Sequence, residues 1–181
     1  MKITPLSIPE VLVLEPKVFR DERGFFLESF NQRQFEKAIG YSVSFVQDNH
    51  SRSEKNVLRG LHYQIQQAQS KLIRVVSGAI FDVVVDLRAQ SSTFGKWVGE
   101  VVSADNFKQI WIPEGFAHGF LVLSETAELL YKTTNFWAPE HERCLAWNDT
   151  TLNINWPLDG NPLLSTKDQK GMLLHEIEAF A

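Results

Sequence analysis

The sequence predicts a mainly β protein, an antiparallel sandwich or barrel of jelly-roll type. Short apolar runs of strand length follow one another along the chain, with turn residues between them. Thirteen Phe, five Trp and three Tyr supply the bulky side chains of a β-rich core or a ligand-stacking pocket. The 181 residues suffice for one domain with a substantial core. We expect that domain to comprise an N-terminal arm with strands (1–45), the barrel (46–140), and a C-terminal coil and helix (141–181).

The N-terminal region is predicted to add two strands to the barrel. Residues 11–14 have the pattern of a strand, and the arm before them, interrupted by Pro5 and Pro9, is expected to be an edge or exchanged strand. A turn at 21–24 precedes a second predicted strand at 25–30.

The next segment carries the start and stop signals of a short helix. Asn31 is a suitable N-cap, Gly40 is a suitable terminator, and Phe35 and Ile39 between them fall on one face. We therefore expect a helix between Asn31 and Gly40.

The strand predicted at 43–52 is polar where it should be apolar. Gln47, Asp48, Asn49 and His50 occupy what would otherwise be its buried half. An ordinary hydrophobic core would not produce this substitution, whereas the interior of a barrel that binds a polar ligand would. This strand therefore indicates a polar binding cavity.

The functional site is expected around residues 57–64, a predicted strand that contains an Arg, a Gly and a His. Strict alternation would direct Arg59 and His62 to opposite faces. An isolated Gly inside a strand often marks a bulge, which re-aims the side chains after it, so a bulge at Gly60 would let both face one cavity. The alternative is that Arg59 is a surface charge and His62 a structural histidine.

The rest of the barrel is predicted from alternation and turn residues. Six more strands are expected at 71–77, 79–86, 96–103, 108–112, 116–122 and 126–134. Asp82 lies among apolar neighbours in one of them and needs a partner if it is buried. From residue 139 the pattern becomes an irregular coil, and a final helix is expected to begin at Ser165 or Thr166 and to run through Glu178.

Composition narrows the class of protein. A net charge of −4 argues against a general nucleic-acid-binding protein, although it allows an anionic small ligand. Cys144 is the single cysteine, which rules out an intrachain disulfide and fits a reducing compartment. No apolar run approaches the length of a membrane span, and the first residues do not resemble a signal peptide. We expect a cytoplasmic enzyme or binding protein with no nucleic-acid or membrane partner.

Familiar catalytic signatures are missing from the sequence. The chain has neither of the common Gly-rich nucleotide-binding loops nor a Gly-x-Ser-x-Gly motif, and Cys144 lacks the context of a nucleophile. Metal-binding barrels often use a His-x-His pair, but His62 stands alone and His50 and His118 are isolated. We therefore expect no metal, with a metal site assembled from distant His residues as the alternative.

What remains is a metal-free set of acid–base and cationic side chains. A His supported by a carboxylate suits proton abstraction near neutral pH, a Tyr can return a proton to a carbanion, and cations suit an oxyanion or a phosphate. Taken singly, each has a structural explanation, such as Tyr131 as a core aromatic, Asp168 at a helix start and Lys71 at a strand edge. The set consists of His62, His118, Tyr131, Asp82, Asp168, Arg23, Arg59, Lys71 and Lys167.

Seven motifs in order resemble the dTDP-4-dehydrorhamnose 3,5-epimerase family over nearly the whole chain. They are residues 19–26 (FRDERGFF), 47–49 (QDN), 58–64 (LRGLHYQ), 71–74 (KLIR), 81–86 (FDVVVD), 112–120 (IPEGFAHGF) and 147–149 (WND). The resemblance implies a cupin-type double-stranded antiparallel jelly-roll barrel without metal or cofactor, and a homodimer with exchanged N-terminal strands. It also implies inversion at carbons 3 and 5 of dTDP-4-dehydro-6-deoxy-D-glucose, giving dTDP-4-dehydro-L-rhamnose.

The resemblance also implies a role for each matching residue. His62 abstracts the proton and Asp168 orients it. Tyr131 returns a proton on the opposite face of the sugar, and Lys71 faces the developing enolate. Asp82 is expected to pair with His118. The positions matched to substrate contacts, of which Arg23 and Arg59 suit the diphosphate, are Arg23, Glu28, Gln47, Asn49, Arg59, Lys71, His118, Glu142 and Lys167.

The chain departs from the family pattern at a few positions, which leave nucleotide preference and regiochemistry open. Thr150 stands where Pro is common, Cys144 where Gly is common, and Phe136-Trp137 occupy a stretch that often carries Tyr. The alternatives are a single-carbon epimerase, a 3,4-ketoisomerase on the same barrel, a non-catalytic sugar-nucleotide-binding module and a metal-dependent cupin oxygenase. The ketoisomerase would not need the proton donor Tyr131, and the oxygenase would need the missing His pair.

Overall fold

The computed structural model describes all residues from 1 to 181 and shows a mainly antiparallel β fold. One α-helix, α1 (Gln32–Ile39), and two single 3-10 turns, Pro139–His141 and Asp168–Lys170, accompany the strands. None of the helices is long and apolar enough to cross a membrane. The strands are β1 (Lys2–Pro5), β2 (Leu12–Glu15), β3 (Val18–Asp21), β4 (Gly24–Leu27), β5 (Gln47–Glu54), β6 (Leu58–Gln64), β7 (Lys71–Ser77), β8 (Ala79–Asp86), β9 (Trp97–Ser103), β10 (Gln109–Ile112), β11 (Phe116–Val122), β12 (Thr126–Thr133) and β13 (Glu142–Cys144).

Eleven of these strands form two sheets. One has six strands in the order β1-β2-β10-β7-β12-β5, and the other has five in the order β13-β6-β11-β8-β9. Strands distant in sequence are therefore neighbours, and every neighbouring pair is antiparallel. These are the properties of a jelly roll, so the predicted fold class is confirmed.

A hydrophobic core fills the space between the two sheets. Ile73 and Leu129 from the six-stranded sheet belong to the same buried cluster as Val84 and Phe120 from the five-stranded sheet. Side chains alternate along a strand. The residues two positions before and after each of these core residues therefore also point inward. This alternation determines which polar residues can reach a cavity between the sheets.

The outer faces of the two sheets are also covered. Helix α1 packs on the six-stranded sheet, where Phe35 contacts Leu72 and Trp111 in a buried cluster. The coil after β13 covers the five-stranded sheet with residues such as Leu152 and Trp156. The inner space therefore lies between two sheets whose outer faces are themselves packed.

The helix between Asn31 and Gly40 is confirmed, including both caps. The Asn31 side chain accepts a hydrogen bond from the backbone N–H of Gln34, and Gly40 adopts the left-handed conformation with φ of 85°. Phe35 is buried and Ile39 packs beside it, so the predicted face is the one that contacts the sheet.

The N-terminal strands differ from the prediction in their bounds. The arm forms β1, an edge strand of the six-stranded sheet, whereas the strand expected at 25–30 is shortened to β4 and pairs only with β3, which the sequence did not predict. The strand expected at 43–52 begins at Gln47. The residues before Gln47 that were expected to belong to this strand pack against α1 instead, because Gln32 and Glu36 of the helix hydrogen-bond the backbone of Val43.

The predicted C-terminal helix through Glu178 is wrong. Only the single 3-10 turn Asp168–Lys170 forms. Met172 then makes an isolated parallel bridge to Leu145, just after β13, and the chain turns again at 174–176. The Met172 N–H donates to the Cys144 carbonyl, and the Ala146 N–H donates to the Met172 carbonyl. A Cβ at Gly171 would lie only 2.7 Å from the Ala146 backbone, so the close approach requires glycine. Long-range pairing therefore overrides the local capping signals.

Candidate active site

A β-bulge in β6 brings its two polar side chains to one side of the sheet. Three steps along β6, from Arg59 to His62, are matched by two steps along β11. Gly60 has a φ of 120°, and a Cβ there would lie 2.6 Å from the backbone of β11. Arg59 and His62 consequently line the same cavity, and the predicted bulge is confirmed.

Two adjoining cavities, of about 280 and 310 Å³, lie between the inner faces of the sheets. The first is also lined by Gln47 and Asn49, whereas Asp48 and His50 are exposed. The polar half of β5 thus contributes alternate residues to a polar interior, as the sequence predicts. The residues shared by both cavities are His62, Lys71, Tyr131, Trp137 and Glu142.

A histidine–carboxylate pair stands at the wall of these cavities. The His62 Nε2 lies 2.6 Å from the Asp168 Oδ1, although the two residues are 106 positions apart in sequence. The Asp168 side chain is 3% exposed and that of His62 is 25% exposed, so the carboxylate is hidden behind the ring. With Nε2 engaged by Asp168, the ring nitrogen left for a ligand is Nδ1.

Asp168 is itself held by several donors. The Ser165 hydroxyl donates to its Oδ2 at 2.7 Å and accepts from its backbone N–H at 3.2 Å, and the Gly60 N–H donates to Oδ1 at 3.4 Å. Ser165 was predicted only as a helix cap, and its contact with the Asp168 carboxylate was not predicted. The Ser-x-x-Asp spacing was the signal, since a Ser and an acidic residue three positions later can bond reciprocally.

The surroundings of the pair favour a neutral His62 and an ionised Asp168. Burial lowers the pKa of His62, with the charges of Lys167 and Lys71 acting in the same direction, and these effects exceed the opposing hydrogen bond to Asp168. Burial acts to raise the pKa of Asp168, but hydrogen bonds from His62 and Ser165 outweigh it and lower that pKa. Near neutral pH a neutral imidazole therefore faces the cavity, backed by a carboxylate.

Lys71 and Tyr131 supply a cation and a phenol to the same cavities. Desolvation lowers the pKa of Lys71 to about 8, against the opposing charges of Glu142 and Asp82. Burial raises the pKa of Tyr131, partly opposed by the charge of Arg59. At neutral pH the lysine is therefore mostly charged and the tyrosine carries its proton. Tyr131 comes from β12 and His62 from β6, which belong to opposite sheets.

A second histidine–carboxylate pair lies deeper between the sheets. The His118 Nε2 is 2.8 Å from the Asp82 Oδ2, and Asp82 is completely buried. The contact expected between these residues is therefore present. The other oxygen, Oδ1, has no hydrogen-bond partner in the protein. His118 lines the larger cavity.

Most of the other predicted substrate contacts also reach the cavities. The Arg59 Nε donates to the Ser53 Oγ at 2.9 Å, which leaves part of its guanidinium free for an anion. Lys167 and Glu142 form an ion pair of 2.7 Å at the rim of the cavity. Trp137 lines the same cavity, although the sequence indicated it only as a departure from the family pattern.

Arg23 and Glu28 do not reach these cavities in the same chain. Arg23 is 85% exposed at the turn between β3 and β4, where it pairs with Asp21. Glu28 lies in a separate cavity of about 380 Å³ beside α1 and accepts hydrogen bonds from Asn31 and Gln34. Their predicted contacts with substrate would require a second chain.

The fold and the cavity together define a cupin-like jelly-roll protein equipped for acid–base chemistry on a polar ligand. The model of the dTDP-4-dehydrorhamnose 3,5-epimerase family matches residues 5–176. The chain belongs to this family, which confirms the resemblance carried by its seven motifs.

Three relatives illustrate this similarity. A dTDP-4-dehydrorhamnose 3,5-epimerase of Pseudomonas aeruginosa is 64% identical over 180 residues, covering 99% of each chain. The crystal structure of dTDP-6-deoxy-D-glucose-3,5-epimerase from Legionella pneumophila in complex with dTDP-4-keto-L-rhamnose matches with a TM-score of 0.96 at 50% identity, covering 98% of this chain and 94% of that one. The 3'-monoepimerase ChmJ from Streptomyces bikiniensis, in complex with dTDP-quinovose, matches with a TM-score of 0.89 at 36% identity, covering 94% and 87%.

Proposed function

We propose that this chain epimerises dTDP-4-dehydro-6-deoxy-D-glucose at carbons 3 and 5, giving dTDP-4-dehydro-L-rhamnose for dTDP-L-rhamnose biosynthesis. The observation that carries the proposal is the position of His62 and Tyr131, which line one cavity from opposite sheets. Inversion at carbon needs a proton removed from one face of the sugar and another delivered to the opposite face. Family membership and the ligand bound to the Legionella relative support the choice of substrate.

The first half of the proposed reaction is proton abstraction. Carbons 3 and 5 both flank the 4-keto group, so removal of a proton from either carbon places negative charge on the same oxygen. We assign the Nδ1 of His62 as the base, and Asp168 stabilises the imidazolium that forms. The Lys71 ammonium is proposed to stabilise the enolate oxygen, where charge develops.

The second half is reprotonation from the other side. The phenol of Tyr131 donates its proton to the carbon of the enolate, and the 4-keto group re-forms. The phenolate then regains a proton from solvent while His62 releases the one it took, so the enzyme returns to its starting state. The remaining groups hold the sugar nucleotide, with Arg59 and Lys167 suited to its diphosphate.

The direct test is incubation of the 4-keto sugar nucleotide with enzyme in deuterated water, followed by NMR of carbons 3 and 5. We expect deuterium at both carbons and inversion at both. Exchange and inversion at carbon 3 alone would instead identify a single-carbon epimerase like the Streptomyces relative. Transfer of the keto group to carbon 3 would identify a ketoisomerase, and an unchanged ligand that still binds would identify a binding module.

The dependence of kcat/KM on pH should be bell-shaped. His62 must be neutral to accept a proton, and its pKa is lowered, so activity should persist below the usual His value of about 6.5 and fall only at more acidic pH. Lys71 must be charged, and its pKa of about 8 predicts loss of activity as the pH rises through that value. In Lys71→Arg the alkaline limb should move to higher pH, because a guanidinium stays charged. A flat profile between pH 7 and about pH 10 would contradict this assignment.

Arg59→Ala should weaken binding of dTDP without a comparable loss of exchange at saturating substrate. Losing a contact to a charged group costs about 1.5–3 kcal/mol, which corresponds to an increase in Kd of about tenfold to 150-fold. Titration calorimetry with dTDP measures this directly. Arg52→Ala is the matched control, since Arg52 is 63% exposed and pairs with Glu128 away from the cavity. Equal affinity in both variants would show that Arg59 does not hold the diphosphate.

We further propose a homodimer in which the N-terminal strands are exchanged, and a cytoplasmic location for the enzyme. Strands β3 and β4 pair only with each other and expose Phe19, Phe25 and Phe26 by 51%, 59% and 70%. Such an apolar surface, beside an Arg23 that does not line the His62 cavities of its own chain, favours docking onto a second copy.

Mixed dimers of two inactive variants test the exchange. Arg23→Ala should bind substrate weakly and His62→Ala should lack the base, but a dimer of one of each would contain one site with His62 and Arg23 both intact. Mixing the variants should therefore restore activity if each arm serves the other subunit. Sedimentation should show the dimer, and mixed dimers with no recovered activity would contradict the exchange.

A further inference from the structure

Behind the proposed base lies a thiol that the reaction does not use. Strand β13 places Cys144 directly opposite His62 on β6. The Cys144 Sγ is 3.9 Å from the Asp168 Oδ1, which in turn is 2.6 Å from the His62 Nε2, and one ligand atom from each of the three residues lies within 4.8 Å of the other two. A thiol, an imidazole and a carboxylate therefore converge on one point.

We propose that Cys144, His62 and Asp168 form a binding site for a thiophilic divalent cation such as Zn²⁺ or Cd²⁺, and that the cation inhibits the enzyme. The cation would not be a cofactor of the reaction. It would occupy the place of the proton shared between His62 and Asp168. The inhibitory part of this inference rests on the proposed function, whereas the binding site does not.

The geometry needs only small movements to accept the ion. Tetrahedral Zn²⁺ has bonds of about 2.3 Å to sulfur and about 2.0 Å to nitrogen or oxygen, so its ligand atoms lie roughly 3.3–3.5 Å apart. The observed sulfur–oxygen separation of 3.9 Å must shorten slightly and the nitrogen–oxygen separation of 2.6 Å must lengthen. Each of these two changes is below about 1 Å. The sulfur and the imidazole nitrogen lie within 4.8 Å of each other and must approach by at most about 1.3 Å, which is within reach of side-chain rotation.

The charges and the ligand types also fit a soft divalent ion. A thiolate and a carboxylate balance the two positive charges, and the imidazole completes three protein ligands, which leaves a fourth position for water. Lys71 and Lys167 oppose a cation near His62, whereas Glu142 favours one. Ions that prefer only oxygen ligands, such as Mg²⁺, gain nothing from the thiol.

A cation bound at this site would inactivate the base because it would change the tautomer of the His62 imidazole. In the resting pair the imidazole proton lies on Nε2, toward Asp168, and Nδ1 has a free lone pair. A cation bound to Nε2 leaves the ring proton on Nδ1, so the nitrogen that faces the cavity becomes a donor and cannot accept a proton. The thiol proton of Cys144 is released to solvent as the sulfur binds.

Cadmium titration without substrate tests the site independently of any activity. Thiolate-to-Cd²⁺ charge transfer adds ultraviolet absorbance, and we expect it to saturate at one ion per chain in the wild-type protein and in His175→Ala, whose imidazole is exposed outside the cluster. Cys144→Ala and Cys144→Gly should show no such band. Absence of the band in the wild-type protein, or its persistence in folded Cys144 variants, would overturn the site.

Inhibition is then measured by proton exchange into the substrate. The Zn²⁺ concentration for half-inhibition should rise at least about tenfold in Cys144→Ala, which retains uninhibited activity, and Mg²⁺ should not inhibit. Equal sensitivity of the wild-type and Cys144→Ala proteins would overturn the inhibitory role. An inactive wild-type protein that still shows the cadmium band would count against the proposed function and leave the binding site supported.

Discussion

Replacing His62 by Ala should reduce proton exchange at carbons 3 and 5 together, by about 10²- to 10⁴-fold. The factor corresponds to about 2.7–5.5 kcal/mol of transition-state stabilisation. Both carbons should be affected because they share one ketone and one base. The His62 ring is the imidazole that is backed by a buried carboxylate at 2.6 Å and also adjoins both cavities. Deuterium incorporation followed by NMR resolves the two positions separately.

Two further variants serve as comparisons for the exchange rate of His62→Ala. Asp168→Asn removes the charge that stabilises the imidazolium, so exchange should slow while dTDP still binds. His175→Ala changes an exposed imidazole and should exchange at the wild-type rate. Exchange that continues at the wild-type rate at either carbon in His62→Ala would show that another group abstracts that proton.

Tyr131→Phe should separate proton abstraction from inversion. The variant keeps the ring, which packs at the edge of the inner core, and removes only the hydroxyl. His62 can still remove a proton and return a solvent-derived one to the same face, so deuterium should enter the substrate. Without a donor on the opposite face, inverted product should accumulate at least about 10²-fold more slowly, as general-acid removal commonly costs.

The two outcomes that contradict this assignment are distinct. Product formation at the wild-type rate would rule out Tyr131 as the donor. Loss of exchange as well as inversion, in a folded variant that binds dTDP, would mean that the phenol stabilises the enolate instead. Tyr41→Phe is the matched control, because Tyr41 is 50% exposed and lies in none of the cavity walls.

The barrel strands and the direction of their side chains follow from the sequence because alternation is a local property. Once Ile73 is placed inside, Lys71 must point the same way, and Leu129 requires the same of Tyr131. The one exception to strict alternation, between Arg59 and His62, could also be predicted from the sequence, because glycine is favoured at a bulge and Gly60 lies between them.

The N- and C-terminal regions were predicted less well because distant segments determine them. The backbone of Val43 bonds to side chains of α1 and not to a strand, and Met172 pairs with the chain on either side of Leu145. Capping and periodicity describe interactions over a few residues. They contain no information about a competing partner elsewhere in the chain, such as Glu36 and Gln32 for Val43 or Cys144 for Met172.

The sequence by itself determined the jelly-roll class, the capped helix, the polar inner face of β5, the bulge at Gly60 and the family. The family resemblance already implied that Asp168 orients His62. Only the tertiary structure decided that Ser165 holds Asp168, that Cys144 lies beside the pair, and that Arg23 stays outside the cavity of its own chain. The physical reason is the range of the interactions. Strand periodicity and turn chemistry act between neighbours along the chain. The position of the buried Asp168 carboxylate, in contrast, depends on a contact with His62 that closes a loop of 106 residues.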